Sequence, residues 1–310
     1  MYSSIIRSDE YKHDLLTFIR HHYAIDVTRI TPAKRGFYGE TWKVSSLTSD
    51  YFIKLIYAPD YQANYERGLY LVQHFSHVGI HFAGRIVKTI ANSLYTQFDG
   101  AVLAVFEWIE GENVQNEITK IEEYKLLAKV YTLSPIDIEI ESEDFSSNEA
   151  DEFFKKWSGL EDQKMLSLLE KNRLKIEHRA ARLSVFSKLC CMDKSDFFIT
   201  HGDAGGNFIV SGGSNFIVDW DSAKLAPPER DAWFCVHWDW AMTGFREALT
   251  DNRIYYKLRT ERFAYYCYWF FFYYLNTYLD AKTEAEIVEE YFDSWMSDNV
   301  KWADKIDELL

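Results

Sequence analysis

The residues best suited to chemistry fall in one run, His201-Gly202-Asp203-Ala204-Gly205-Gly206-Asn207, followed after two short apolar stretches by Asp219-Trp220-Asp221. Phe208 to Val210 and Phe216 to Val218 read as strands joined by Ser211-Gly212-Gly213-Ser214, a four-residue hairpin loop. With that loop, Asn207 at the start of the outgoing strand faces Val218 at the end of the return. Asn207 and Asp219 then leave the hairpin side by side. An amide oxygen and a carboxylate are hard ligands that suit magnesium, which takes one or two protein carboxylates along with substrate phosphates. Asp203 lies just before them, on a loop whose glycines leave room for a ligand to approach. A carboxylate not spent on a metal can accept the proton of an attacking hydroxyl, the division of labour that phosphoryl transfer uses. A lone Asp beside Gly is an ordinary turn residue, but a turn does not ask for a histidine, an asparagine and a second carboxylate around the same hairpin. Asp221 is a further carboxylate, able to bind a second metal or simply to begin the next loop.

These residues need a frame. The spacing of Tyr11, Leu15, Phe18 and Ile19 predicts a helix over Asp9 to His22 with one buried face. The period then changes: Ile25 to Pro32, Glu40 to Ser45 and Tyr51 to Tyr57 are rich in β-branched and aromatic residues and read as three antiparallel strands. A helix from Tyr61 to His77 follows, then strands at Arg85 to Ile90 and Ala101 to Glu107. That makes five strands with one helix inserted after the third. Beyond Asn116 helical patterns dominate, including Ile121 to Tyr131 and a long Gln163 to Leu189. The composition shift places a boundary at Phe106 to Glu112, dividing the chain into 1–107 and 108–310. Phe263 to Leu279, with its unbroken aromatic run Tyr268 to Tyr274, is short and polar for a membrane span and reads as a buried helix.

The order His-x-Asp, Asn, hairpin, Asp resembles the catalytic and metal-binding segments of the aminoglycoside phosphotransferase and choline kinase families, relatives of protein kinases. The resemblance spans most of the chain. It implies an α+β, protein-kinase-like two-lobed fold: an N-terminal five-stranded antiparallel sheet with a helix binds nucleotide, and a larger helical C-terminal lobe carries the catalytic loop and acceptor site. It implies that Asp203 is the catalytic base, that Asn207 and Asp219 hold magnesium, that His201 supports the loop and that Asp231 steadies it. In kinase-like folds a strand lysine contacts the nucleotide phosphates and is oriented by a helix glutamate; Lys54 and Glu66 stand where these are expected. Gly36 and Gly39 lie where a glycine-rich loop covers the phosphates, and Phe106 to Gly111, with Trp108, resembles the hinge that holds adenine. One departure is visible: the family places its asparagine five residues after the aspartate, and here Asn207 follows Asp203 by four.

Composition bounds the activity. The 47% hydrophobic and 17% aromatic content of 310 residues supports a packed core. A net charge of −14 repels nucleic acid and anionic lipid surfaces; it either attracts a cationic small molecule or simply keeps the surface solvated. Cys190, Cys191, Cys235 and Cys267 show no metal-binding or paired spacing, and the first residues lack the features of a secretory signal, so reduced thiols and a cytoplasmic setting are expected. Trp233, Trp238, Trp240, Trp269 and Trp295 are available either for core packing or for a cation-π box. The expected activity is transfer of the γ-phosphate of ATP or GTP, with Mg2+, to a hydroxyl of an amine-bearing small molecule such as an aminoglycoside or aminocyclitol antibiotic. A choline, ethanolamine or amino-sugar kinase is the alternative within the class, and a nucleotide-binding regulator without catalysis is the alternative outside it. A protein kinase is disfavoured by the absence of an Ala-Pro-Glu segment and the short stretch between Asp219 and Asp231.

Overall fold

The computed structural model describes residues 7–33, 39–134, 139–280 and 305–306. In chain order the elements are α1 (Asp9–Tyr23), β1 (Val27–Pro32), β2 (Glu40–Ser46), β3 (Asp50–Ile56), α2 (Pro59–His77), β4 (Ile86–Val87), β5 (Thr96–Phe98), β6 (Ala101–Glu107) and α3 (Glu117–Tyr131). There follow α4 (Asn148–Ser158), α5 (Gln163–Lys171), α6 (Arg173–Cys191), β7 (Phe198–Thr200), β8 (Phe208–Ser211), β9 (Ser214–Ile217), β10 (Lys224–Ala226), α7 (Glu229–Ala232), α8 (Asp239–Asp251) and α9 (Thr260–Asp280). The chain divides into two compact units.

The first unit holds residues 1–130, 134–141 and 201–223. Its sheet has six antiparallel strands, in the order β1-β2-β3-β6-β4 with β5 also on β6. Five were expected. The sixth, β5, turns into β6 through Asp99-Gly100, both at positive φ, the backbone of a tight hairpin turn. The strand expected over Arg85 to Ile90 shrinks to two residues, Ile86–Val87. Side chains alternate across β3. Ile53 and Leu55 pack with Leu15, Ile19 and Tyr23 of α1, whereas Ile56 packs on the other face with Tyr65 and Leu69 of α2. Lys54 therefore shares the α2 face, and its partner across the ladder is the small Ala104. α1 is entered through Ser8, whose hydroxyl accepts the N–H of Tyr11, and α2 through Pro59 at its first turn.

The hairpin β8–β9 belongs to this unit and has the expected register, Phe208 facing Ile217 and Ser211 facing Ser214. The loop is tighter than expected, because the strands run to both serines and only Gly212-Gly213 turn, both at positive φ. Such a turn matches the twist of the strands, and glycine adopts it without a Cβ clash.

The second unit holds residues 131–133, 142–200 and 224–310. α9 packs against α4 and α6, and β7 pairs antiparallel with β10. The single long helix expected over Gln163 to Leu189 is two, α5 and α6, broken at Asn172, whose side-chain amide donates to the carbonyl of Leu168. Asn satisfies a helix-end carbonyl better than it extends a helix. Most of the aromatic run in α9 is buried, as expected of an interior helix, and among the described residues no helix is long and apolar enough to cross a membrane. All four cysteines are free thiols.

Candidate active site

The segment from His201 to Ser222 is assembled around His201 and Trp220. The imidazole Nδ1 accepts the N–H of Asp203 at 3.1 Å, and Nε2 lies 2.9 Å from the carbonyl of Val218, to which it donates. These bonds fix which nitrogen carries the proton, and they tie the loop before the hairpin to the residue before Asp219. The fully buried Trp220 donates its indole N–H to Ile217 and packs edge-on against Phe75 of α2 and against His201. Between these anchors Asp219 adopts φ 67, ψ 62, the left-handed region in which Asp is among the tolerated residues.

Asp203 lies on an exposed loop, and the following short 3-10 turn, Gly205–Asn207, absorbs the four-residue spacing. The side-chain amide of Asn207 donates to the carbonyl of Asp203 at 2.8 Å and to its Oδ2 at 3.3 Å. The turn is clamped from outside by residues that sequence reasoning did not single out. Asn113 donates to the carbonyls of Gly205, Gly206 and Phe208, and Gln115 donates to that of Gly205. A polar pair just past Gly111 carries no periodicity to betray it.

Lys54 reaches this segment from β3. Its ammonium lies 2.6 Å from Asp219 Oδ1 and 2.6 Å from Asp221 Oδ2, with the ring of Tyr65 5.1 Å away. Burial opposes the charge on Lys54, but the two carboxylates outweigh it and hold the ammonium above its ordinary value. Asp219 is favoured as the anion: burial disfavours its charge, and Lys54 more than compensates. Burial and then the charge of Asp219 hold Asp221 above the usual carboxylate range, against the pull of Lys54.

Glu66 is not brought to Lys54. Its carboxylate accepts the hydroxyl of Tyr95 at 2.9 Å. The cause is helix phase. Tyr65, Gly68, Leu69, Val72 and Phe75 share the buried face of α2, and Glu66 is turned about 100° away from Tyr65. Gly39 lies over the stem of Lys54, since a Cβ there would come 3.3 Å from Lys54 Cε; Gly36 falls outside the described residues. Phe106 faces Phe52 across the ladder, on the same sheet face as Lys54, two positions along β3. Trp108 donates its backbone N–H to Asp50, and the ammonium of Lys43 sits 4.2 Å from its ring. In the second unit Asp231 is buried and accepts the hydroxyl of Tyr131. There Trp233 stacks on Phe270 and Trp269 on Tyr273, while the exposed Trp238 stacks on Trp240; Trp295 lies outside the described residues.

A strand lysine thus lies on the hairpin-end aspartate, and the loop aspartate is braced by a histidine; the expected pairing of Lys54 with Glu66 is absent among the described contacts. The family model described as phosphotransferase enzyme family matches residues 29–266. The chain belongs to that family. Its fold is the protein-kinase-like α+β fold of the family's solved members. It superimposes on a spectinomycin phosphotransferase solved with ADP and spectinomycin, with a TM-score of 0.80, 20% identity and 95% and 98% of the two chains covered. It also resembles the choline kinase of Streptococcus pneumoniae, with a TM-score of 0.59, 14% identity and 97% and 100% covered. An aminoglycoside phosphotransferase from Alicyclobacillus acidocaldarius gives a TM-score of 0.64 at 12% identity, over 100% and 97% of the chains. No curated protein matches the chain.

The donor set fits a divalent cation. Asp219, favoured as the anion beside Lys54, offers a carboxylate oxygen at the hairpin end. With the Nδ2 of Asn207 spent on Asp203, its Oδ1 is the atom turned elsewhere. Among the described residues no group of three or more His, Cys, Asp or Glu could hold a metal, but magnesium asks for only one or two carboxylates when phosphates supply the rest.

Proposed function

We propose that this phosphotransferase moves the γ-phosphoryl group of ATP, with Mg2+, to a hydroxyl of an amine-bearing small molecule, an aminocyclitol or aminoglycoside first among them. The observation that carries the reading is the contact of Lys54 with Asp219, which joins the sheet to the hairpin end where a nucleotide's phosphates would be held. The spectinomycin phosphotransferase supports the choice of acceptor and of an adenine nucleotide, since the likeness runs over nearly the whole of both chains. The charge of −14 supports a cationic acceptor.

In this reading Asn207 and Asp219 hold the magnesium, which when bound neutralises charge on the phosphates. Lys54 binds the phosphates, Gly39 lies over them, and Phe106 and Trp108 border the adenine. Asp203 accepts the acceptor's hydroxyl proton as that oxygen bonds to the γ-phosphorus. The bond from the γ-phosphorus to the bridging oxygen breaks, and ADP leaves with the electron pair. His201 keeps the backbone of Asp203 in place while the carboxylate does this.

A coupled ADP-release assay with spectinomycin, other aminocyclitols, choline, ethanolamine and an amino sugar tests the proposal. Release that depends on spectinomycin or a related aminocyclitol is the expected result. Release with choline alone moves the chain to the choline kinase reading. Nucleotide binding without release from any acceptor leaves a regulator in place of an enzyme.

A further inference from the structure

We propose that Asp221, rather than the helix glutamate Glu66, is the positioning residue that aims Lys54 at the nucleotide phosphates; this rests on the function proposed above. The ammonium of Lys54 has two carboxylate partners at 2.6 Å, Asp219 and Asp221. Asp219 is the one the function assigns to the metal, and that leaves Asp221 as the carboxylate that stays with the lysine.

Three further contacts hold Asp221, its neighbour and the lysine in place. Gly68 of α2 lies so near that a Cβ on it would come 3.1 Å from the Cα, N and Oδ1 of Asp221. Two of those atoms are backbone, so a side chain at this point of the helix would push Asp221 back by a few tenths of an ångström. The neighbouring Trp220 is buried against Phe75, one helix-turn pair further along the same face of α2. The hydroxyl of Tyr65 donates to the carbonyl of Lys54 while its ring lies beside the ammonium, so the lysine is held at both its backbone and its head. Glu66 has a different occupation, accepting the hydroxyl of Tyr95. α2 thus orients the lysine through what it lets close to it, with Asp221 supplying the charge that a helix glutamate supplies elsewhere in kinase-like folds.

The test is a double-mutant cycle on nucleotide binding, read by calorimetry with magnesium AMP-PNP and, separately, with adenosine. Asp221→Asn and Lys54→Met are each expected to weaken AMP-PNP roughly tenfold, as for loss of one charge-assisted contact to phosphate. Adenosine, which has no phosphate, should bind both variants as it binds the wild type. The double variant should bind AMP-PNP no more weakly than Lys54→Met alone, because Asp221 acts through the lysine. Any loss from Glu66→Gln is expected to add to that of Lys54→Met. Gly68→Ala, which crowds Asp221 without removing its charge, should weaken AMP-PNP in the same selective way, and it decides the matter if Asp221→Asn does not fold. Unchanged AMP-PNP affinity in Asp221→Asn, full additivity with Lys54→Met, or equal loss of adenosine overturns the assignment, as does a Glu66→Gln loss that disappears in the Lys54→Met background. A wild type that binds neither ligand overturns the function itself, which separates the two failures.

Discussion

Asn207 leans back onto Asp203, its side-chain amide donating to both the carbonyl and the Oδ2 of that residue. The residue proposed to bind metal thereby steadies the residue proposed to take the proton. Asp203→Asn preserves the volume and leaves an oxygen for Asn207, but it removes the proton acceptor. Turnover should fall by roughly 10² to 10⁴, the usual share of a positioned base, with nucleotide affinity and unfolding temperature nearly unchanged. Acceptor-dependent ADP release, nucleotide titration and thermal unfolding on the same preparations check this. Near-normal turnover would return Asp203 to the role of a turn residue.

Removal of the metal should act through Asp219. Wild type is expected to bind ATP more tightly with magnesium than with excess chelator, and Asp219→Ala should lose most of that difference. Calorimetric titration in the two buffers gives the answer, and equal affinities in the wild type would exclude Asp219 as a metal ligand.

The clamp on the turn after Asp203 is open to a simple substitution. Asn113 gives its amide to three carbonyls of the turn and the first hairpin residue, Gly205, Gly206 and Phe208. Asn113→Ala should lower kcat roughly five- to tenfold, about what one net hydrogen bond is worth, and lower the melting temperature only slightly because the site is partly exposed. Steady-state kinetics beside a melting curve distinguishes a displaced turn from general loss of fold.

Glu229 sets a pH dependence in the second unit. Burial pushes its carboxyl up to about 7, against the hydrogen bonds it accepts from the Arg259 N–H and the Tyr256 hydroxyl and against the nearby charge of Arg262. A folded value above the unfolded one favours the protonated fold. The stabilisation is complete below the ordinary glutamate value and is lost as pH rises through about 7. Wild type should therefore lose stability between pH 5 and pH 8 relative to Glu229→Gln, by at most on the order of 3 kcal/mol. Urea midpoints at the two pH values measure it, and parallel profiles in the two proteins would show that the accepted hydrogen bonds keep Glu229 ionised throughout.

A cationic acceptor drawn in by the acidic surface should show an apparent KM that rises with salt, because screening weakens exposed charge contacts. Initial rates over a range of sodium chloride at fixed nucleotide test this. A neutral or anionic acceptor, or a KM indifferent to salt, contradicts it.

The hairpin register was readable because Ser211 to Ser214 admits few turns, and any symmetric closure pairs Phe208 with Ile217. Lys54 was readable as a lone charge in an apolar run. The partner of Lys54 was not. Choosing between Glu66 and Asp221 depends on the rotation of α2 about its axis, and Tyr65 and Glu66 differ by one step of sequence yet face different neighbours. The strand β5 was missed although Asp99-Gly100 is a strong hairpin signal, because Thr96–Phe98 is too short to show alternation. The break at Asn172 was missed because the apolar spacing runs across it, and only the amide's bond to Leu168 ends the helix.

The hairpin and its flanking loops join the unit formed by residues 1–130 only after a long excursion of the chain, since residues 142–200 belong elsewhere. During synthesis the sheet, α1 and α2 emerge first, and the surface of α2 that receives Trp220 waits uncovered until residue 223 leaves the ribosome. Phe75 and Gly68 are then a vacant berth on a nascent chain, an aggregation hazard that lasts for the time needed to translate the intervening segment. Slowing translation of residues 142–200 should therefore lower the yield of folded protein without changing its stability.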